Sequence, residues 1–527
     1  MRRLLFLLLI ALAAVPTASA SPIFVVTGHG WGHGIGMAQY GAQGYALKGG
    51  KSYDWILEHY YPGTKLEPSA VTTVRVLVAD GRTRLTIGSA AAFSATGAGG
   101  KTVQIPKGSV TFGPGLRITV NGTEHALAGP VRFLRGTKNL QVGGKAYRGA
   151  LVVRSSGGRL SAVNEVGLDQ YVYGVVPNEM PSGWAPEALK AQAVAARSYA
   201  LASRNTGGTF DLYADTRSQV YGGAASEDPP TTAAVDATAG QILTYGGKVA
   251  HTFFHSTSGG RTANVQDIWG GTGYPYLVSV PDPYDTLSPY HDWGPFRYTA
   301  AQMARTLGGS APRGSLLDAL VTRNASLRVR SVNFIGGRGT SSVSGSLLQS
   351  RLGLRSTWFS VGVLSLKGPR KVTYGNPARL HGVARGFAKA WLERRTSSGG
   401  WQQVGRTKDA GGAVAFAQRP AVTTTYRIAT PKSAGPSVRI GVAPALTLAV
   451  RNARHALAGV VKPGRAGIEV QLQRLVNGRW KTVARDETDA AGRFRARLAV
   501  KPGTYRAFAA PGGGLVPGTS SPLPVGA

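Results

Sequence analysis

One glutamate of the chain lies in surroundings suited to acid–base chemistry. Glu179 follows an apolar run that begins at Tyr171, and it precedes Met180-Pro181 with Trp184 close by in sequence. Apolar neighbours disfavour the charged form of a carboxyl group and raise its pKa, which suits a general acid. A glutamate at this place also suits a structural role, capping the loop before the next helix. The sequence leaves both roles open.

The helix expected after Glu179 carries four polar side chains that are candidates for the same site. It is predicted to begin at Pro186, a residue suited to a first helical turn, and to run toward Ser203. The four residues are Lys190, Gln192, Arg197 and Tyr199. At about 100° per residue, Gln192 and Tyr199 fall on a face nearly opposite to the other two. We expect that face to point toward the site, whereas Lys190 has the spacing of an ion pair with Glu187.

Two histidine pairs, His29/His33 and His251/His255, have the spacing that chelates a metal on a helix. The second pair lies in a strand-like run, where a four-residue step spans about 13 Å and one ion cannot reach both rings. The first lies in a glycine-rich loop without the Gly-x-Gly-x-x-Gly order of a nucleotide site. We therefore expect no metal and no cofactor. The glycines indicate close backbone approach, either around a binding groove with His33 and Gln39 as ligands or in tight core packing.

Composition narrows the class of protein. The chain has 60 Lys and Arg against 25 Asp and Glu, a formal net charge of +35, so a polyanion is an expected neighbour. With 73 glycines and 30 prolines in 527 residues, short strands joined by turns are favoured over long helices. The absence of cysteine excludes disulfides, thiolate metal sites and a cysteine nucleophile.

Residues 1–20 predict a secretory signal peptide. Arg2 and Arg3 precede an apolar run, and Ala18-Ser19-Ala20 offers a small-residue cleavage site. The apolar run, Leu4 to Val15, is too short for a comfortable membrane span, so none is expected in the mature chain. An exported bacterial protein meets wall polymers before it meets nucleic acid. We therefore expect a secreted or cell-wall location and no nucleic-acid partner.

The predicted elements that position these residues are mostly short strands. Hairpins are expected around Asp80-Gly81 and Gly246-Gly247, and a further helix is expected after Ser52, stopping before Pro62. Many strands and few helices predict an α+β fold for residues 21–365.

The tail of the chain is basic and repeats itself. From residue 367 to the end it has 27 Lys and Arg and six Asp and Glu, and Trp401 and Trp480 occupy equivalent places in two similar stretches. Alternating strands in tandem units predict two Ig-like β-sandwich modules, residues 366–442 and 443–527. These modules either bind anionic wall polymer or act as spacers, and the sequence does not decide between the two roles.

Five motifs of the chain resemble the stage II sporulation protein D (SpoIID/LytB) family of peptidoglycan-active proteins. The resemblance covers about 340 residues. The first motif is residues 28–42, which lead to a further matching stretch at 59–64, and the other four are residues 171–201, 215–222, 254–262 and 352–359. In the family the first of these normally comes last, so the chain resembles a circularly permuted member. The same fold is kept if residues 358–364 lie beside 23–27.

This resemblance implies lytic cleavage of glycan strands between N-acetylmuramic acid (MurNAc) and N-acetylglucosamine (GlcNAc), which leaves 1,6-anhydro ends and needs no cofactor. It also implies that Glu179 is the catalytic acid. This reaction needs one carboxyl group, whereas a hydrolase usually needs two. Other carboxyl groups, more distant in sequence, are Asp169, Asp211 and Asp215. The candidate substrate-binding residues are Lys190, Gln192, Arg197, Tyr199, His33, Gln39, His255 and Ser258. Because the family includes amidase enhancers, a non-catalytic wall-binding protein that assists a wall amidase is the alternative.

Overall fold

The computed structural model describes residues 17–407, 411–452 and 455–526. Of the predicted signal peptide, residues 1–16 lie outside the described residues. Strands dominate the rest and helices are few, which confirms the prediction of a strand-rich core followed by β-rich units. Within these ranges, no helix has the length and apolar character needed to cross a membrane.

The longest helix, Pro186–Ala202, confirms the helix predicted after Glu179. Alanine-rich sequence favours it because alanine loses little entropy on helix formation, and proline tolerates the first turn. Tyr53–Tyr60 confirms the helix predicted after Ser52, whose extended backbone precedes the first turn. The remaining α-helices that the structure describes are Gln39–Leu47, Leu168–Tyr173, Val176–Glu179, Pro229–Asp236, Val265–Trp269, Ala300–Leu307 and Gly345–Leu352.

A seven-stranded sheet forms the centre of the core and corrects one prediction. Thr73–Arg82 runs through Asp80-Gly81 as one strand, so the hairpin expected there is wrong. The strand pairs with Arg159–Gly167, while Leu85–Ser89 joins another sheet. The partner strand pairs with it from Thr73 to Ala79 and again at Arg82, so Asp80-Gly81 forms a bulge in this ladder, where Gly81 has φ 64°, instead of a hairpin turn. In order, the strands are Leu212–Tyr213, Thr73–Arg82, Arg159–Gly167, Ala150–Ser156, Val131–Leu134, Phe93–Thr96 and Thr102–Ile105.

Smaller sheets flank this one. The second sheet contains Lys145–Tyr147, Leu140–Val142, Leu85–Ser89 and Gly108–Phe112, and the strands Arg117–Val120 and Thr123–Ala126 form a separate hairpin. Two further sheets contain Lys248–Val249, Gln241–Tyr245 and Lys65–Pro68, and Leu316–Arg323, Val329–Gly336 and Gly339–Ser344.

The hairpin predicted at Gly246-Gly247 is present, and both glycines have the positive φ that a two-residue turn requires. Its second strand ends at Val249, so the strand expected over His251–His255 is not continuous. The chain turns instead to pack on the long helix, where the Thr252 hydroxyl donates to the Ala195 carbonyl at 2.7 Å. Only the last two residues, Phe254–His255, re-enter a ladder, parallel to Met37–Ala38.

In a six-stranded sheet, a strand near the N-terminus pairs with the strand at the C-terminal end of the core. Ile23–His29 lies between Asp292–Thr299 and Phe359–Pro369, antiparallel to both. The expected contact of residues 23–27 with 358–364 is therefore confirmed. The sheet continues beyond position 365 through two strands of the tail. In order it contains Asp292–Thr299, Ile23–His29, Phe359–Pro369, Ala378–Arg385 and Gly412–Gln418, with Thr17–Ser19 also on Phe359–Pro369.

The tail has two separate hydrophobic cores, one around Leu392 and Tyr426 and one around Leu472 and Tyr505. The further strands of the first unit are Lys371–Thr373, Val438–Ala443, Thr424–Thr430, Ser433–Ala434, Trp391–Arg395 and Gln402–Arg406. Those of the second are Ala445–Leu446, Ala449–Arg451, Ala456–Lys462, Arg493–Arg497, Arg479–Glu487, Glu469–Val476, Gly503–Ala509, Gly518–Thr519 and Leu523–Val525. In both units a tryptophan lies under an arginine, at 3.9 Å for Trp401 and 4.3 Å for Trp480.

Candidate functional site

Glu179 lies at a corner between two helices. It is the last residue of Val176–Glu179, and the extended backbone of Met180 ends that helix before Pro186 begins the long one. Burial raises the pKa of the Glu179 carboxyl, while the Val220 backbone and the Gln39 side chain act in the opposite direction. The Val220 N–H donates to Oε1 at 3.4 Å. The group is therefore biased toward the protonated form, yet donors are in place for the carboxylate that remains after proton transfer.

The N-terminal glycine-rich segment reaches this corner, as the permuted order predicts. Gln39 faces Glu179 and is almost fully buried at the start of its helix. Next to it the Tyr40 ring meets the Trp184 ring edge-on at 4.8 Å. One turn later, Gln43 Oε1 accepts a hydrogen bond from the Ala185 backbone N–H at 2.8 Å. Contacts made by Gln39, Tyr40 and Gln43 therefore hold this helix against the Glu179 corner.

His33 lies inside the glycine-rich segment and is neutral. Burial lowers its pKa to about 4, and its Nδ1 accepts a hydrogen bond from the Ile35 backbone N–H at 3.0 Å. Its ring centroid is 5.4 Å from that of His255 and 5.2 Å from that of Trp269. None of its recorded contacts is with Glu179. The structure thus places Gln39 at the glutamate and His33 in a packed aromatic layer beside it.

Glycines allow this packing. Gly30, Gly32, Gly34 and Gly36 all have positive φ, between 68° and 111°, which side-chain-bearing residues rarely adopt. At Gly36 a Cβ would also collide with the Phe253 carbonyl oxygen. Every second residue of the segment is therefore required to be glycine by its backbone conformation.

His255 and Ser258 belong to a buried loop. His255 Nδ1 lies 3.2 Å from the Ile35 carbonyl, and burial lowers the pKa of this ring well below its ordinary value. The backbone N–H of Ser258 donates to the Asp285 carboxylate at 3.0 Å, and its hydroxyl accepts from Gly260 N–H at 3.0 Å. These contacts order the loop. In the described part of the chain, no group of three or more His, Asp or Glu side chains is placed to hold a metal ion.

The long helix divides its polar side chains as its geometry predicts. Arg197 is fully buried and binds Asp169 at 2.7 Å and the Gln241 carbonyl at 2.8 Å. Lys190 binds Glu187 at 2.7 Å. Both side chains are therefore held in ion pairs, on the helix face that points away from Glu179.

On the other face, Tyr199 is half-buried and close enough to Glu179 for that carboxylate to raise its pKa, although burial is the larger cause. Gln192 is fully buried, and its amide has no hydrogen-bond partner among the described residues. The structure thus brings Gln39 and Tyr199 to Glu179.

Sequence reasoning missed an aromatic layer beside the site. We call the rings of Tyr199, Phe253, Trp269, His251 and Tyr274 the aromatic stripe. Its neighbouring ring centroids are 4.7 to 5.9 Å apart. Trp269 is 51% exposed and Tyr274 39% exposed, although both contact other rings. Exposed aromatic faces of this kind suit the apolar faces of sugar rings. The sequence signal was an isolated Trp-Gly-Gly and a Tyr-Pro-Tyr, which no periodicity connects to Glu179.

The segment that contains this site is similar to known proteins. A family model described as "Stage II sporulation protein" matches residues 156–245, which include Glu179 and the long helix. The stage II sporulation protein D of Bacillus subtilis is 32% identical over 215 residues, covering 38% of this chain and 61% of that protein. The Bacillus amyloliquefaciens protein of the same name is 32% identical over 216 residues, with the same coverage of both chains.

An amidase enhancer of Bacillus subtilis is 39% identical over 120 residues, covering 23% of this chain and 16% of that protein. The chain thus spans less than two thirds of the length of each of these relatives. The range matched by the family model, residues 156–245, includes the corner and the helix on which the candidate site is built. This segment is therefore similar to the stage II sporulation protein D family.

Proposed function

We propose that the chain is a peptidoglycan lytic transglycosylase that uses Glu179 as its single general acid and base. The observation that carries the proposal is the state of that carboxyl group. Burial raises its pKa, two donors face it, and the aromatic stripe begins at Tyr199 next to it. A carboxyl group with a raised pKa beside surfaces that suit sugar rings is the arrangement such a reaction needs.

The other carboxyl groups considered for the reaction are all held by arginines. Asp169 binds Arg197, Asp211 binds Arg75 at 2.8 Å, and Asp215 binds Arg217 at 2.7 Å. Hydrogen bonds from its arginine lower the pKa of Asp215 to about 2. None of the three is then a free second carboxylate, which supports a route with one carboxyl group over a two-carboxylate hydrolysis.

In the proposed reaction, Glu179 gives its proton to the glycosidic oxygen as the bond from that oxygen to C1 of MurNAc breaks. The GlcNAc oxygen leaves as a hydroxyl group. The Glu179 carboxylate then takes the proton of the MurNAc C6 hydroxyl, whose oxygen bonds to C1 and closes the 1,6-anhydro ring. No water is consumed, and Glu179 ends protonated. Gln39 and the Val220 N–H stabilise the carboxylate between the two proton transfers.

The test is the anhydro product formed from defined glycan strands by wild type, Glu179→Gln and Glu58→Gln. Glu179→Gln keeps the shape of the side chain and removes the acidic proton, so we expect turnover to fall at least about 100-fold. Glu58→Gln is the matched control, because Glu58 is exposed and bonds only the Gly63 N–H in the described structure. A folded Glu179→Gln protein that keeps more than about a tenth of the wild-type turnover would falsify the catalytic role.

A second candidate function is supported by the similarity to an amidase enhancer. In that case the chain binds glycan and stimulates a wall amidase without cleaving strands itself. Wild type that forms no anhydro product, yet binds strands and raises the rate of a purified wall amidase, would favour this candidate.

We further propose a secreted or cell-wall location, with the basic tail binding anionic wall polymer. Retention on purified walls should weaken steeply with salt, because exposed charges are screened within about 8 Å at physiological ionic strength. Deleting residues 444–527 removes the second unit and leaves intact the strands of the tail that extend the core sheet. Unchanged retention after this deletion would leave the second unit as a spacer.

A further inference from the structure

The first unit of the tail contains a groove of about 620 Å³ close to its junction with the core. Part of the lining comes from the end of the strand Phe359–Pro369 and from its neighbour Ala378–Arg385. The rest comes from Lys371–Thr373, a strand of a different sheet, and from the turn that follows it. None of the residues placed at Glu179 lines this groove, so it takes no part in the reaction described above.

The charged side chains that line the groove are all cationic. Lys367, Lys371 and Arg379 are exposed, and within the described ranges their side chains make no hydrogen bond or ion pair. Lys367 lies directly opposite His381 in the sheet, and Arg379 shares a face with His381 because side chains alternate along a strand. The described lining includes no Asp or Glu, and the sequence has none between positions 319 and 392. Three positive charges are therefore available to an anionic ligand.

The uncharged part of the lining indicates which anion fits. It consists of short side chains, among them Val372, Thr373 and Asn376. The described lining contains no Phe, Trp or Tyr, so the groove lacks the flat surface that the aromatic stripe offers to sugar rings. A polymer of uronic acids would find charges here but no ring surface. A chain of phosphodiesters joined by short alditol units needs only cations in a narrow space, and both lysine and arginine bind phosphate.

We propose that this groove binds a wall polymer of alditol phosphates through Lys367, Lys371 and Arg379. The inference rests on the proposed binding of anionic wall polymer by the tail, and it deepens that proposal by assigning the binding to one site in the first unit. The volume of the groove is in the range of sites that hold a small ligand, here a few repeating units of the polymer.

The groove is fastened to the core, which gives binding there a consequence for the whole protein. The first half of Phe359–Pro369 pairs with Ile23–His29 of the core. In the neighbouring strand, Arg385 binds the core residue Asp318 at 3.0 Å. A polymer held in the groove therefore holds the core against the wall, without a flexible linker between the two.

The experiment titrates the full chain with poly(glycerol phosphate) by calorimetry at several salt concentrations. The variant is Lys371→Gln/Arg379→Gln. The matched control is Arg479→Gln/Lys481→Gln, which removes the same two charges from exposed positions of the second unit. Exposed ion pairs each contribute a fraction of a kcal/mol, so we expect the groove variant to bind about fivefold more weakly. Because fewer counterions are released, its slope of log Kd against log salt should also be smaller by roughly one. The control should bind like wild type, and thermal melts check that the three proteins are equally folded.

Equal affinity of the groove variant and the control would overturn the assignment to this groove and leave the binding by the tail as a whole standing. No binding of the polymer by wild type at millimolar repeating units would overturn both. Binding of polygalacturonate as tightly as poly(glycerol phosphate) would assign the groove to carboxylate polymers. Tighter binding to phosphatidylglycerol vesicles that depends on Lys371 and Arg379 would assign it to a lipid surface. The titration measures no turnover, so a failure to form anhydro product counts against the proposed catalysis alone.

Discussion

Replacing Gln39 with leucine should raise the pKa of Glu179. Gln39 faces the carboxyl group and lowers its pKa against the effect of burial, so its removal leaves the carboxylate with one donor fewer. Leucine is close to glutamine in size and suits the almost fully buried position. The perturbation is therefore electrostatic, with little change of packing.

The size of the effect follows from one hydrogen bond. A hydrogen bond to a charged group contributes about 1.5 kcal/mol at the lower end of its range, and 1.36 kcal/mol corresponds to one power of ten in a protonation equilibrium. The protonated form should therefore gain up to about tenfold over the carboxylate, and less where water replaces the amide. Since the general acid acts when protonated, the alkaline limb of the pH–rate profile should move to higher pH.

The assay is a ¹³C NMR titration of side-chain-labelled glutamates, with the Glu179→Gln spectrum identifying the resonance of interest. This readout reports the carboxyl group without any turnover. Gln43→Leu is the matched control, because Gln43 lies on the same helix and bonds the Ala185 backbone instead of Glu179. An unchanged or lower pKa of Glu179 in folded Gln39→Leu would refute the electrostatic reasoning.

Three other outcomes are expected. Arg197→Met should lower the free energy of unfolding by roughly 3 kcal/mol in denaturant titrations, because it removes the hydrogen bonds of the buried guanidinium to Asp169 and to the Gln241 carbonyl, each about 1.5 kcal/mol. A stable variant that had only lost glycan affinity would contradict this structural role. Gly36→Ala should lower the free energy of unfolding by at least about 2 kcal/mol more than Gly50→Ala does in the same measurement. Both glycines have positive φ, but only at Gly36 would the added Cβ collide with neighbouring atoms. Equal losses of stability in the two variants would refute this close approach. Trp269→Ala should weaken binding of glycan oligosaccharides in calorimetry whereas Trp480→Ala should not, and the reverse would place glycan recognition in the tail.

Local signals predicted several elements correctly. Proline followed by an alanine-rich run specified the helix Pro186–Ala202, and two glycines specified the turn at Gly246-Gly247. The excess of positive charge in the tail and the two repeats within it can likewise be read from the sequence alone. The helix and turn signals depend on a few consecutive residues, and the structure preserves them because nothing distant competes with them.

Where the outcome depends on residues far away in sequence, the sequence was a poorer guide to the structure. Asp80-Gly81 has the sequence of a hairpin turn, yet pairing with a long neighbouring strand on both sides makes it a bulge within Thr73–Arg82. Helix geometry separated Arg197 from Tyr199 correctly, but the sequence did not show that the buried Arg197 side chain is paired with Asp169.

For the candidate site, the sequence by itself determined the apolar surroundings of Glu179 and the glycine pattern of the segment that meets it. Only the tertiary structure decided that Gln39 is the residue facing that carboxyl group, that His33 is turned into an aromatic layer, and that Trp269 belongs beside them. The physical reason is the range of the forces involved. Backbone preferences act over a few residues and can be read along the chain, whereas a pKa depends on burial and on donors that strand pairing brings in from far away in sequence.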